Sequence, residues 1–240
     1  MSEFIDVPCK GNFIATIVER KRVLPTPVQS RVDEIWDREF QVRQGKLFNG
    51  SILGIVKADM DDLLVEKTEY KIVLALVRDP SLKEAIDFKP LCTSGMTLSS
   101  GKVLLGQRAQ YVSAYPNFYE MVPSGSIDSN QLQEGLTIDL KQQLLQELAE
   151  EADIASSFVE KSEGWTLIYD AENKMYEVVA RIYVPAFFSS SPVKEGEGEY
   201  RSLLWLAKEE LEKHLIQHKD HYVPLTKYLY TKWNSLISFP

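Results

Sequence analysis

Cysteine is scarce in this chain of 240 residues: only Cys9 and Cys92 are present. The two are far apart and match neither a metal-ligand spacing nor a disulfide framework, so a reducing compartment is expected. Long apolar runs are also lacking. The longest, Ile72 to Val77, has about six residues against the roughly 20 needed to cross a bilayer. Met1-Ser2-Glu3 is not followed by a basic stretch and an apolar core, so no secretory signal is expected and the chain reads as cytoplasmic, without a membrane partner. Positive charge is in deficit, with 27 Lys and Arg against 35 Asp and Glu, a formal charge of −8. That balance excludes a general nucleic-acid binder, which needs a basic footprint, and argues against anionic membrane surfaces. An anionic ligand must then be held by something other than net charge, and a metal ion is the obvious device.

Apolar residues are plentiful at 44%, with 26% charged, which is enough to offset chain entropy and excludes a disordered chain. The length suits one large domain or two small ones. β-Branched and apolar residues predict strands at 13–18 and 52–56. The apolar run at 70–78 also reads as a strand. A helix is expected over 27–40, where Val28, Val32, Ile35, Trp36 and Phe40 fall near the 3.6-residue period. A short helix is expected at 81–86. This first part, residues 1–88, is expected to pack on the remainder of the chain rather than to fold alone. In the second part, residues 89–240, a hairpin joins strands at 91–98 and 103–108 through Ser99-Ser100-Gly101-Lys102. A loop rich in Tyr, Pro, Gly and Ser spans 110–129. A helix follows at 137–152 with Thr137 as its cap. Strands at 166–169, 176–185 and 201–206 precede helices at 207–218 and 224–237. Strands interleaved with a few long helices give an α/β or α+β layered architecture.

The informative segment is Gln146-Glu147-Leu148-Ala149-Glu150-Glu151-Ala152-Asp153-Ile154. Helical pitch puts Glu147, Glu150 and Glu151 within about one face and one turn. Leu140, Leu144, Leu145 and Leu148 supply an apolar side to bury. Like charges at this spacing repel by a few tenths of a kcal/mol, roughly, and a divalent cation reverses that sign. Clustered hard oxygens suit Mg²⁺, which keeps several waters and bridges to phosphate oxygens. The same three carboxylates also fit a solvated acidic helix face.

The order of segments then matters. Strand residues Leu104-Leu105-Gly106-Gln107-Arg108 come first, then Pro123-Ser124-Gly125, then the Glu-rich helix. This resembles the Nudix hydrolases, which cleave nucleoside diphosphates linked to another moiety. Their box opens on Gly and closes on Arg-Glu-apolar-x-Glu-Glu-x-Gly-apolar. Gly125 matches the opening, and Glu147, Leu148, Glu150, Glu151 and Ile154 match the close. Gln146 stands in place of Arg and Asp153 in place of Gly, and the box is elongated. Asp tolerates a left-handed backbone better than most residues. The segments Arg31-Val32-Asp33-Glu34-Ile35-Trp36-Asp37 and Leu47-Phe48-Asn49-Gly50 are similar to the N-terminal region of the UDP-glucose/UDP-galactose diphosphatase branch. Its members share the Gln-Glu substitution and the missing final Gly.

The resemblance implies an α/β/α sandwich with a β-rich N-terminal extension containing one helix. It also implies a Mg²⁺-dependent pyrophosphohydrolase, with Mn²⁺ a substitute, that converts a UDP-sugar to UMP and sugar 1-phosphate. It names Glu147, Glu150 and Glu151 as metal ligands, with Glu147 and Glu151 the principal ones. A general base comes from these or from Glu197 or Glu199 in the loop Glu195-Gly196-Glu197-Gly198-Glu199, which otherwise reads as a flexible acidic turn. Arg108 reads as a bidentate phosphate clamp or a surface ion pair. Tyr111, Tyr115, Phe118 and Tyr119 read as a stack for uracil or as packing. Ser124 and Gly125 bring backbone close to a phosphate or shape the metal pocket. His214, His218 and His221 have a metal-like spacing but are expected at a solvated helix end. The partner is a small nucleoside diphosphate substrate, and the chain is a monomer or homodimer. Two other readings stay open: a hydrolase for another nucleotide such as ADP-ribose or NADH, and a non-catalytic nucleotide-binding module.

Overall fold

A computed structural model describes residues 3–9, 11–20, 22–127, 136–190 and 198–233. In chain order the strands are β1 (Phe4–Val7), β2 (Ile14–Ile17), β3 (Ser51–Ala58), β4 (Leu63–Glu69), β5 (Leu91–Ser99), β6 (Lys102–Arg108), β7 (Tyr119–Met121), β8 (Ser124–Ser126), β9 (Thr137–Asp139), β10 (Lys161–Asp170), β11 (Met175–Tyr183) and β12 (Tyr200–Ala207). The helices are α1 (Thr26–Val42), α2 (Tyr70–Arg78), α3 (Leu140–Ala152), α4 (Lys208–Gln217) and α5 (Pro224–Trp233). No helix among the described residues is long and apolar enough to cross a membrane.

The main sheet runs β1-β10-β11-β5-β6-β12, with β7 added beside β6 and β8 beside β5. Only the β11–β5 contact in it is parallel. Successive strand residues point to opposite faces, and β6 shows the consequence. Val103 and Leu105 enter a core with Leu211, Leu225, Leu229 and Trp233 of α4 and α5. Leu104 between them enters a core with Leu144 and Leu148 of α3. Helices therefore cover both faces, which is the expected mixed α/β sandwich.

A second sheet, β3-β4-β2-β9, packs beside it. Phe13, just before β2, and Ala15, Ile17, Leu53, Ile55 and Val65 from this sheet share one core with Leu91, Leu167 and Val178 from the main sheet. The boundary expected at residue 88 is crossed both ways. β1 pairs with β10 in the main sheet, and β9 pairs with β2 in the second. Helices α1 and α2 bury Val32, Ile35, Ile72, Ala75 and Leu76 against Leu82, Ile86 and Phe88.

Several elements differ from the sequence expectation. Residues 70–78 are helical, not extended, because an unbroken apolar run carries no period to separate helix from strand. Asn49 Oδ1 accepts from the Lys71 backbone N–H at 2.9 Å, satisfying one amide of that helix's first turn. Thr137 lies in β9, and the cap of α3 is Asp139, whose Oδ1 accepts from Lys141 N at 2.9 Å and Gln142 N at 3.2 Å. Trp36, one of the periodic apolar residues of α1, is half-buried and meets Tyr70 edge-on at 6.5 Å. Phe40 is exposed. The stretch expected as a short helix at 81–86 is a 3₁₀ turn, Pro80–Glu84.

Gly54 of β3 lies where the two sheets touch. A β-carbon there would sit 2.8 Å from the Lys89 carbonyl oxygen and inside the Phe88 ring. Overpacking of this kind costs about 1–3 kcal/mol. Gly54→Ala is expected to lower the unfolding free energy by that much, seen as a lower urea midpoint with an unchanged slope; an unshifted midpoint would show that the sheets are not held this close.

Candidate functional site

The site is set by how α3 lies on the main sheet. Leu140, Leu144 and Leu148 recur every four residues and are fully buried, so they fix which face of α3 meets the sheet. Glu147 and Glu151 flank that stripe and face β8. β8 is held by β5 through Ser94↔Ser124, Thr93↔Gly125 and Cys92↔Ser126. The Ser124 backbone N–H donates to Glu151 Oε2 at 2.9 Å. Glu151 Oε1 is buried with no partner. Glu147 crosses directly over Gly125, where a β-carbon would lie 2.8 Å from its Oε1 and closer still to the rest of the carboxylate. Glycine is therefore required at 125 by close approach. α3 ends on Asp153 at φ 56°, in the left-handed conformation that favours glycine, with Ile154 buried behind it.

Glu150 does not join the other two. It is exposed, and its Oε1 accepts from the Gln146 side chain at 2.6 Å. Among the described residues, no three His, Cys, Asp or Glu side chains stand ready as a metal centre. Glu197 and Glu195 lie outside the described residues. Glu199 is exposed, and its carbonyl accepts from Ala109 N at 2.8 Å.

Two further carboxylates that sequence reasoning missed lie close by. Glu120 on β7 is buried, pairs with the Arg108 guanidinium, and accepts from the Tyr200 hydroxyl at 2.8 Å. Arg108 also donates to the Ala114 carbonyl at 3.1 Å. It is thus a partly buried ion-pair residue, neither an open clamp nor a surface pair. Glu177 on β11 is buried, and Ser94 Oγ donates to its Oε2 at 3.0 Å. Ser94 Oγ also lies 3.3 Å from Ser124 Oγ. A polar chain therefore runs from Glu177 through Ser94 and Ser124 to Glu151. A cavity of about 30 Å³, room for about one water, is lined by Ser94, Glu120, Ser124, Glu177 and Thr226 among others. The available signal for both acids was a lone Glu inside an apolar strand, Tyr-Glu-Met-Val and Tyr-Glu-Val-Val, since such a charge needs a partner when buried.

Crowding of these acids shows in their protonation. Burial pushes the Glu151 carboxyl well above its ordinary range; the Ser124 amide opposes this, and Glu120, Glu199 and Glu147 add repulsion. Burial also raises Glu120, against the pull of Arg108 and Tyr200. Glu177 is pushed up to about 8, chiefly by burial. Buried oxygen without a donor, beside like charges, is a donor set suited to a hard divalent cation, and Glu147 and Glu151 are the residues that fit it.

The loop aromatics divide. Tyr119 packs among His214, His218 and Tyr222, with ring centroids 4.5, 5.2 and 5.6 Å away. Tyr115 packs on Phe118 at 5.4 Å, and Phe118 on His221 at 5.8 Å. Tyr111 is 58% exposed, and its hydroxyl donates to the Gly198 carbonyl. His214 and His218 stack at 4.4 Å, and His214 Nδ1 lies 2.5 Å from Tyr222 Oη, so the histidines form an aromatic cluster instead of a bare helix end.

No protein-family model matches the chain, and no curated protein matches it. Among solved structures, it is similar to a bifunctional NMN adenylyltransferase/ADP ribose pyrophosphatase from Francisella tularensis, at 10% identity and TM-score 0.48 over 70% of this chain. The match takes in 46% of that enzyme, so the chain spans about half its length. A MutT protein from Methanosarcina mazei Go1 aligns at 17% identity and TM-score 0.45 over 62% of this chain and 96% of its own. A Nudix hydrolase from Nitrosomonas europaea aligns at 13% identity and TM-score 0.40 over 63% and 93%. Likeness this partial assigns no residue and no substrate.

The raised Glu177 carboxyl has a stability consequence. From about pH 4.5 to about 8 the folded protein keeps a proton that the unfolded chain releases, so stability falls as pH rises through that window. Glu177→Gln keeps an oxygen for Ser94 and never ionises. Relative to wild type, its melting temperature is expected to gain roughly ten degrees between pH 5 and pH 8.5, since the three pH units below about 8 amount to about 4 kcal/mol in a chain this size. Parallel curves for the two proteins would mean that Glu177 ionises normally.

Proposed function

We propose that the protein is a Mg²⁺-dependent hydrolase that cleaves the pyrophosphate bond of a nucleoside diphosphate-linked substrate. Its assigned substrate is UDP-glucose or UDP-galactose, giving UMP and sugar 1-phosphate. The observation that carries this reading is the buried, unpartnered Glu151 oxygen, held by the Ser124 amide next to Glu147 over Gly125. When bound, a divalent cation neutralises phosphate charge, orients a water and lowers its pKa. Glu147 and Glu151 would hold it, with Mn²⁺ a substitute for Mg²⁺. Glu150 would join only after leaving Gln146.

The chain's own groups have definite tasks. The Ser124 N–H fixes one oxygen of Glu151 and leaves the other for the site. Gly125 lets the backbone approach the Glu147 carboxylate. Leu144 and Leu148 seal the inner side of α3 against water and hold its register. Arg108 is committed to Glu120, so a substrate phosphate reaches that guanidinium only in competition with a carboxylate. Tyr111 keeps an exposed ring and is the aromatic assigned to stack on a base. The UDP-sugar assignment rests on the resemblance of the 31–37 and 47–50 segments to that branch.

A second reading has its own support. Glu150 is turned to Gln146, and the described residues hold no ready three-ligand group, which favours a nucleotide-binding module without turnover. Product release from a nucleotide panel (UDP-glucose, UDP-galactose, ADP-ribose and NADH) with and without Mg²⁺ separates the two. UMP release from the UDP-sugars is expected to stop in EDTA and to drop at least about a hundredfold in Glu151→Gln, the scale of losing electrostatic stabilisation in a transition state. Saturable binding without Mg²⁺-dependent product would favour the module, and turnover indifferent to Glu151→Gln would overturn the hydrolase reading. Glu147→Gln is expected to raise the Mg²⁺ concentration for half-maximal rate about tenfold or more with an unchanged melting temperature. An unchanged Mg²⁺ requirement would remove Glu147 from the ligand set.

A further inference from the structure

We infer that Thr93 is a positioning residue of the acidic site: its hydroxyl orients the Glu147 carboxylate for a divalent cation. This role rests on the metal-dependent function proposed above and adds a residue of β5 to it.

Side chains on β5 alternate between the two faces of the main sheet. Met96 and Leu98 enter the core under α4 and α5. Leu91 enters a core with Leu140, the first residue of α3. Thr93 follows Leu91 by two residues, so it faces α3 as well, and it is fully buried there. Its antiparallel partner is Gly125, and opposed β-carbons of such a pair lie about 4.5–5.5 Å apart. A β-carbon at 125 would sit 2.8 Å from Glu147 Oε1. The Glu147 carboxylate therefore fills the place where the partner's side chain would be, beside Thr93.

The Thr93 hydroxyl is the exception on its strand. Ser94 Oγ donates to Glu177 Oε2 at 3.0 Å, Thr97 Oγ1 to the Val122 carbonyl at 2.8 Å and Ser99 Oγ to the Pro185 carbonyl at 2.9 Å. Thr93 Oγ1 is buried without a partner, as is Glu151 Oε1 in the same site. Packing does not account for it, since valine has the same branched shape and suits a strand as well. A buried hydroxyl with its hydrogen bond unmade costs stability, so its presence on an otherwise satisfied strand points to a task in the site. A carboxylate has about four lone-pair positions. Glu147 can accept from Thr93 with one of them and face a cation with others. Hydrogen-bonded partners of this kind are worth about 10–100-fold in metal affinity.

The full chain is melted in EDTA and across a Mn²⁺ series, as wild type, Thr93→Val, Thr93→Ser and Glu147→Gln. Wild type is expected to gain melting temperature with Mn²⁺, and Glu147→Gln to need about ten times more, or beyond that, for half the gain. Thr93→Val exchanges the unmet hydroxyl for a methyl group, so in EDTA it is expected to melt about 2–4 °C above wild type. It is nevertheless expected to need about ten times more Mn²⁺ for half the gain. Thr93→Ser keeps the hydroxyl and loses a buried methyl group. It is expected to melt below wild type in EDTA and to keep the wild-type Mn²⁺ requirement. A threonine that only packs would not set stability and metal requirement in opposite order. If Glu147→Gln needs more Mn²⁺ and Thr93→Val does not, the role of Thr93 is overturned by itself. If wild type gains nothing from Mn²⁺, the metal-dependent function is overturned and this role with it.

Discussion

The structure turns on the contact between α3 and β8. Burying Leu140, Leu144 and Leu148 is worth about 1.5–3 kcal/mol each, and it forces the acidic flank of the same helix against a strand. Glu151 loses water as a result and recovers one hydrogen bond, from the Ser124 amide. Glu120 on β7 and Glu177 on β11 are buried as well. Arg108 is the guanidinium paired within this group, and it is engaged by Glu120. The apolar packing of one helix therefore helps to crowd carboxyl groups whose charged form burial disfavours. A small, hard cation is the kind of partner that favours their ionised form.

Legibility in the sequence followed the range of the interactions. The β5–β6 hairpin, α1 and the body of α3 declare themselves through local period and turn residues, and all were readable. α2 was not, because six consecutive apolar residues look alike in a helix and in a buried strand. β1 and β9 were hidden for another reason. β1 pairs with residues 167–170 and β9 with residues 14–16, and no local pattern announces a partner so far away. Thr137–Asp139 even extends the helical pattern smoothly, and only the edge of a distant sheet makes it extended.

The candidate site divides the same way. Glu147 and Glu151 stand four residues apart on a helix with a leucine stripe, so their shared face could be deduced. Glu150 obeys the same arithmetic, yet it turns to Gln146, since one residue along α3 is a rotation of about 100° away from the buried flank. Gln146 thus supplies the group that draws Glu150 aside. Glu120, Glu177 and the Arg108 pairing arise from sheet order, which a single strand does not encode.

Sheet order also shapes the connection between Gly125 and the Glu-rich turn. The chain leaves β8 in the main sheet and adds β9 to the edge of the second, beside β2. It then enters α3 with Asp139 serving both as the last β9 residue and as the helix cap, while Leu140 N donates to the Phe13 carbonyl at 3.0 Å. The N-terminal sheet is therefore the anchor for the start of the helix that carries Glu147 and Glu151. With the leucine stripe fixing rotation and β9 fixing the first residue, the register of the two carboxylates over Ser124 and Gly125 depends on both sheets. Residues 1–88 in this arrangement help to position the acidic site and are not an appendage beside it.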